Sequence, residues 1–236
     1  MDYGKKLFFL IVMACFPLTA LGQNNQISIS YSNTAGNTNT QSLTVGYRFE
    51  KGLEGKRFYS NGSYFYKKDD GKETANKLVV DNRFELDITN RLLFFVKNFI
   101  HRDTFSGYNL RLGVGPGVGY QLLKKDNENL KLFFGADFTY NNYVDQGTEN
   151  YVAGDVGLEY NRQLLENLFF TQKVSYLMSL KNSKDYFVHS ETCFKVPITE
   201  KMALGVSYKI NYHNLLPDGA KYHTDKMFST SLIYSF

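Results

Sequence analysis

Past its first 22 residues the chain has no apolar run long enough to cross a bilayer as a helix. A helical membrane protein is thereby excluded. Cysteine is nearly missing, with Cys15 and Cys193 the only two. Cys15 falls in a segment expected to be removed, and a single remaining cysteine makes no intramolecular disulfide. The fold must hold by hydrogen bonding and side-chain burial. Charge of one sign is lacking as well. Lys and Arg number 27 against 23 Asp and Glu, a net +4 that falls to about +3 without the first segment. Such a small, scattered excess speaks against a nucleic-acid partner. The four histidines, His101, His189, His213 and His223, form no compact set, so no metal site is expected, and nothing calls for a cofactor. Tryptophan is absent, whereas 18 Tyr and 20 Phe are present.

The N-terminus reads as a secretory signal peptide over residues 1–22. Lys5 and Lys6 precede the apolar stretch Leu7 to Phe16, and the small residues Ala20 and Gly22 stand before Gln23. A lipoprotein would need a cysteine where Gln23 stands. Residues 23–236 then form the exported chain, expected to be one domain, because no linker or low-complexity stretch divides it.

What the chain has is alternation. Leu43, Val45, Tyr47 and Phe49 alternate with Ser42, Thr44, Gly46 and Arg48. Met202, Leu204, Val206, Tyr208, Ile210 and Tyr212 alternate with Ala203, Gly205, Ser207, Lys209, Asn211 and His213. Residues two apart in a strand share a face, so each segment has one apolar and one polar side. About twelve strands follow, over 26–34, 38–50, 56–67, 74–88, 91–101, 106–123, 129–144, 149–163, 167–180, 184–196, 201–214 and 225–236. Turns near 52–55, 89–91, 126–128, 166–167 and 199–201 recur at the interval of one hairpin of long strands. An even strand number puts both termini on one side, the periplasmic side after export. The loops of the other side are short, except 215–224.

Strands of this length exceed the 5–6 residues usual in a soluble sandwich, and a sheet in hydrocarbon must close so that its backbone groups pair. The expected fold is all-β: an antiparallel transmembrane β-barrel of about twelve strands, outer-membrane type. Its apolar face meets lipid, with Tyr31, Tyr66, Tyr108, Tyr143, Tyr186 and Tyr212 as interfacial girdle residues. Its polar face carries Arg48, Asp81, Arg83, Glu85, Asp87, Lys97, Arg111, Asp137, Glu159, Lys173, Glu191, Lys195 and Lys209, the expected lumen lining. These charges suit either an interior network that fills the barrel or a narrow polar pore. Gly113, Gly115, Gly117 and Gly119 share one face of a strand, which leaves room for bulky neighbours, and Pro116 between them suggests a local bulge. No helix follows these glycines, as a phosphate-binding loop would require.

The order of Gly36-Asn37-Thr38-Asn39-Thr40, the run Ser42 to Tyr47, the strand Arg111 to Gln121 and the aromatic end at Phe236 resembles the salt-induced outer-membrane protein family (YdiY-like), a domain family of unknown function. The resemblance implies an outer-membrane location in a diderm bacterium, contact with outer-membrane lipids and a link to envelope or salt stress. It brings no catalytic residues. Phe236 resembles the terminal signal read by the barrel-assembly machinery. The function expected is structural or passive transport rather than enzymatic. Two alternatives stand beside it. One is a barrel-embedded lipid-modifying enzyme, which needs a Ser–His pair; adjacent His189 and Ser190 point to opposite faces, and Ser207 or Ser231 could serve His213 only across strands. The other is a soluble secreted ligand-binding β-barrel.

Overall fold

The computed structural model describes residues 25–34, 39–217 and 222–236. The signal segment 1–22 and parts of the loops around Asn37 and Gly219 lie outside these residues. The described residues form twelve strands in a closed antiparallel barrel. They are β1 (Gln26–Thr34), β2 (Thr40–Leu53), β3 (Lys56–Asp69), β4 (Lys72–Asp87), β5 (Leu92–Asp103), β6 (Tyr108–Lys125), β7 (Glu128–Tyr143), β8 (Thr148–Leu165), β9 (Leu168–Ser179), β10 (Tyr186–Pro197), β11 (Met202–His213) and β12 (Thr224–Ser235). A single 3-10 turn, Thr104–Ser106, joins β5 to β6. No helix among the described residues is long and apolar enough to cross a membrane.

Each strand pairs with its sequence neighbours, so every connection is a hairpin. The turn between β3 and β4 shows the local chemistry. Asp70 and Gly71 both take positive φ, 47° and 77°, the two-residue geometry that matches strand twist. The ring closes where β12 meets β1, through only four register pairs, Gln26 with Ser235 to Ile29 with Leu232. The Phe236 N–H extends this seam by donating to the Asn25 carbonyl at 3.0 Å. By comparison, β2 and β3 share fourteen pairs.

Alternation puts Phe94, Val96, Ile100, Val114, Val118, Phe134, Phe138, Val152 and Val156 on the outer face, all exposed. Tyr31, Tyr66, Tyr186 and Tyr212 also face outward at the loop end. There Tyr176, Tyr186 and Tyr212 run as a ladder, with ring centroids 5.5 and 5.9 Å apart. Tyr108 and Tyr143 depart from the expected girdle. Tyr108 is 7% exposed and turns inward, pairing with Tyr143. For Tyr108 the cause is a register shift between Tyr108 and Leu110, since one extra residue in a strand moves everything beyond it to the other face. Tyr143 instead faces inward by unbroken alternation with Asp137 and Asn141. The bulge expected at Pro116 is likewise elsewhere. The β6–β7 ladder skips Gly115 and Pro116 and resumes in the same register, while shifts occur at Tyr108/Leu110 and Gln121/Leu123. The donor missing from Pro116 is therefore absorbed as a local gap in the ladder, with no extra residue.

The alternating glycines are covered as expected. A Cβ on Gly113 would strike the Phe99 ring, one on Gly117 the Phe95 ring and one on Gly119 the Leu93 side chain. The side chains of β5 thus lie flat across β6. Together with Phe133 from β7, Leu93 and Phe95 form a small buried apolar cluster inside the barrel.

Candidate functional site

The inner face is the one place where the fold gathers polar side chains, and pairing registers bring them there strand by strand. Opposite residues share a face. Asp81 lies opposite Phe99, Arg83 opposite Lys97, Glu159 opposite both Lys131 and Lys173, and Glu191 opposite both Lys173 and Lys209. Arg48, Asp81, Arg83, Glu85, Lys97, Arg111, Asp137, Glu159, Lys173, Glu191 and Lys209 all lie on this inner face, as do Asp87 and Lys195.

They fall into separate groups. In the first, Arg83 on β4 reaches over the lumen to Glu159 on β8, Nη1 to Oε1 at 3.0 Å and Nη2 to Oε2 at 3.1 Å. Such a two-pronged contact fixes the guanidinium plane as well as the charge. Arg83 also meets Glu85 at 2.9 Å, and its guanidinium lies 4.3 Å from the Phe133 ring centre. Arg57 bonds Glu85 at 3.0 Å and also pairs with Asp87, while Lys131 approaches Glu85 at 3.4 Å. Glu85 is completely buried. This strut roofs the aromatic cluster over the β6 glycines, so the sector of lumen beside β5, β6 and β7 is filled.

The second group is the Lys97 ammonium between two carboxylates, 3.0 Å from Asp137 and 2.8 Å from Asp155. Lys97 lies opposite Gly115, and a Cβ there would collide with Asp137 and the Ala136 carbonyl. Glycine opens the lane by which a β5 lysine reaches carboxylates on β7 and β8.

The remaining sector, walled by β9 to β12 and β1 to β3, is built differently. Lys209 pairs with Glu191 at 3.1 Å, and the Ser207 and Ser229 hydroxyls meet at 2.7 Å. Small residues such as Ser28, Gly46, Gly205 and Ser231 face inward here. The side chains of Lys173, Lys209 and Glu191 keep 30%, 27% and 22% of their surface accessible, against none for Glu85 and Asp137. The sealed carboxylates lie beside the aromatic cluster, whereas Arg83, Glu159 and Lys97 keep 21%, 21% and 24% accessible, values close to those of Lys209 and Glu191.

At the loop end, His213 bonds Asp185 at 2.7 Å and the Tyr108 hydroxyl at 3.3 Å, and its ring stacks on Phe187 at 3.8 Å. The other face of this arrangement is Arg111, with its guanidinium 3.6 Å from the Phe187 ring centre. A cavity of about 350 Å³ opens nearby, lined by Tyr143, Glu149, Ser179, Lys181, Asp185 and Leu215 among others. His101 bonds Asp81 and His189 bonds Asn211. No serine hydroxyl among the described residues hydrogen-bonds a histidine, and no described group of side chains could hold a metal ion.

The family model of the proteins of unknown function DUF481 matches residues 27–236. The chain belongs to the DUF481 family. It is 27% identical over 216 residues to the uncharacterized protein YdiY of Escherichia coli K12, covering 89% of this chain and 81% of that one. Among solved structures, this DUF481 barrel is similar to an outer-membrane channel from Pseudomonas putida F1, at TM-score 0.56 and 8% identity over 90% of this chain and 94% of the other. It is also similar to the NanC porin, at TM-score 0.51 and 9% identity over 90% and 97%. At such identities the likeness is one of fold, and the fold is that of outer-membrane β-barrels.

Several lumen residues of the DUF481 chain escape a reading of the sequence. Leu92-Leu93-Phe94-Phe95-Val96 is apolar on both faces, so its inward Leu93 and Phe95 look like lipid-facing residues. Lys97 carries the missing signal, since residues an even number away from an inward charge must point inward too. The same parity from Glu159 finds Asp155, and from Asp137 finds Lys131.

Proposed function

We propose that this DUF481 protein is a narrow, water-filled pore in the outer membrane of a diderm bacterium, through which small polar solutes pass passively. The carrying observation is the accessible charge deep in the lumen. Arg83, Lys97, Glu159, Lys173, Glu191 and Lys209 each keep a fifth to a third of their side-chain surface accessible, while Glu85 and Asp137 beside the aromatic cluster are sealed. A barrel filled merely for stability has no reason to leave so many charges within reach of water. Twelve strands also enclose more space than the eight-strand barrels whose interiors side chains fill. The loop-end cavity makes a vestibule for solutes. The strand ending at Phe236 would be the handle for the barrel-assembly machinery, and lipids would cover the apolar band. The stress role implied by the family resemblance fits a pore that equilibrates small solutes across the envelope.

Planar-bilayer recording of the refolded chain tests the pore, and Cys193 provides a built-in reporter. It faces the lumen opposite Ser207 and is partly exposed. Stable conductance is expected, lowered by a charged methanethiosulfonate reagent and unaffected by that reagent in Cys193→Ser. A silent bilayer with heat-modifiable, folded protein would refute the pore.

A further inference from the structure

The lumen cations differ in whether they have a counter-charge. Those described above on β3, β4, β5, β7 and β9, together with Lys209, have a carboxylate within 4.0 Å. Among the described residues Arg48, Arg111 and Lys195 have none. Arg48 donates from Nε to the neutral Asn61 amide oxygen at 3.2 Å. Lys195 has the Phe169 ring, with 5.5 Å from its ammonium to the ring centre. Arg111 has a cage of rings, Phe187 at 3.6 Å, Phe99 at 5.4 Å and Tyr108 at 5.9 Å. The carboxylate close to that cage, Asp185, is already bonded to His213.

Aromatic stacking satisfies the face of the Arg111 guanidinium, while its N–H edge meets the Tyr151 hydroxyl and no carboxylate. That edge is the part which binds carboxylate or phosphate through two parallel hydrogen bonds. The Arg111 Nε is buried and has no hydrogen-bond acceptor in the structure. At the terminus end, Arg48 of β2 and Lys195 of β10 both face the lumen. Cations that have no acid partner gain from an anion held close to them. Among the described residues, the inward carboxylates without a lysine or arginine within 4.0 Å are Glu50 and Asp225 near strand ends, and Asp81 and Asp185, which bond His101 and His213.

We propose that these cations form two oxyanion stations on one path, Arg111 at the loop end and Arg48 with Lys195 at the terminus end. The solutes they select are small carboxylate- or phosphate-bearing anions. This rests on the pore reading for transport, but binding at the stations does not require conduction.

The test therefore has two arms. In bilayers with a KCl gradient, the reversal potential should show chloride preferred over potassium. Arg111→Gln, Arg48→Gln and Lys195→Gln should each reduce that preference by about threefold, the scale of one unit charge acting a few ångströms away in water. The double variant Lys209→Gln/Glu191→Gln, which removes a balanced pair, should leave it unchanged. In detergent, inorganic phosphate at matched ionic strength should raise the temperature at which the folded gel band is lost. Arg111→Gln and Arg111→Lys should both weaken this gain, whereas the lysine variant should keep the chloride preference. A conducting barrel whose selectivity ignores all three substitutions overturns the stations and leaves the pore. A silent barrel still stabilised by phosphate in an Arg111-dependent way overturns the pore and supports the stations. Failure in both arms overturns both.

Discussion

Replacing Lys97 by methionine keeps the length of the side chain and removes its charge, leaving Asp137 and Asp155 without their shared cation. Asp137 is fully buried and Asp155 is 9% exposed. At the observed 3.0 and 2.8 Å, each attraction is worth about 5–6 kcal/mol at an effective dielectric of ~20. Much of this is offset by the cost of removing three charges from water. Deleting one partner of such a buried pair typically destabilises by ~3–5 kcal/mol, because the remaining charge stays stranded. With two carboxylates stranded, the upper part of that range is the expectation. At a urea dependence of about 3 kcal/mol per molar, the unfolding midpoint should fall by more than about 1 M. The assay is urea unfolding in phospholipid micelles followed by far-ultraviolet circular dichroism, since the chain has no tryptophan to report by fluorescence. Lys97→Met/Asp137→Asn/Asp155→Asn should recover most of the loss, because no net charge remains buried. A loss below ~1 kcal/mol in the single variant would refute the reasoning by showing that water reaches both carboxylates.

Glycine substitutions should separate by what covers each site. Gly117→Ala should lower stability by ~1–3 kcal/mol through overpacking against Phe95 and the Phe134 carbonyl. Gly154→Ala should be neutral within ~0.5 kcal/mol, because the nearest atom, Leu180 Cδ2, would be 3.7 Å away; comparable urea midpoints for the two would contradict the packing. Arg83→Met should leave Glu159 with only Lys173 at 4.0 Å while Glu85 keeps Arg57 and Lys131, for a loss near the lower end of ~3–5 kcal/mol by the same unfolding assay. Deletion of Phe236 should lower the fraction of heat-modifiable barrel recovered from outer membranes while leaving refolding in detergent nearly intact. Equal losses in both settings would mean that the residue serves stability and not assembly.

The strand pattern was legible because lumen and lipid impose opposite chemistries two residues apart. The spans expected for the first and third strands, 26–34 and 56–67, coincide with Gln26–Thr34 and fall within Lys56–Asp69. The charged lining was legible for the same reason. Alternation cannot tell which pairs form across the lumen, because Arg83 and Glu159 are 76 residues apart and meet only through barrel curvature. Nor does it resolve β5, where an inward aromatic cluster makes both faces apolar. Tyr108 was misassigned to the girdle because a register shift leaves no mark in composition.

The short junction of the chain's two ends has a mechanical consequence. A closed ring opens most readily at its weakest link, and here eleven ladders are joined by one with four residue pairs. Past Ile29 and Leu232 the two terminal strands run on without partners across that junction. Backbone groups in this slit require water or another polar partner, since unpaired amides in hydrocarbon cost several kcal/mol each. Every second amide proton of β1 past Ile29 and of the first half of β12, the ones that point into the slit and not at β2 or β11, should therefore exchange with solvent well before those of β6 and β7. Widening at this slit changes the circumference of the wall while every hairpin stays intact. The wall thus has a built-in line of compliance between the chain's two terminal strands.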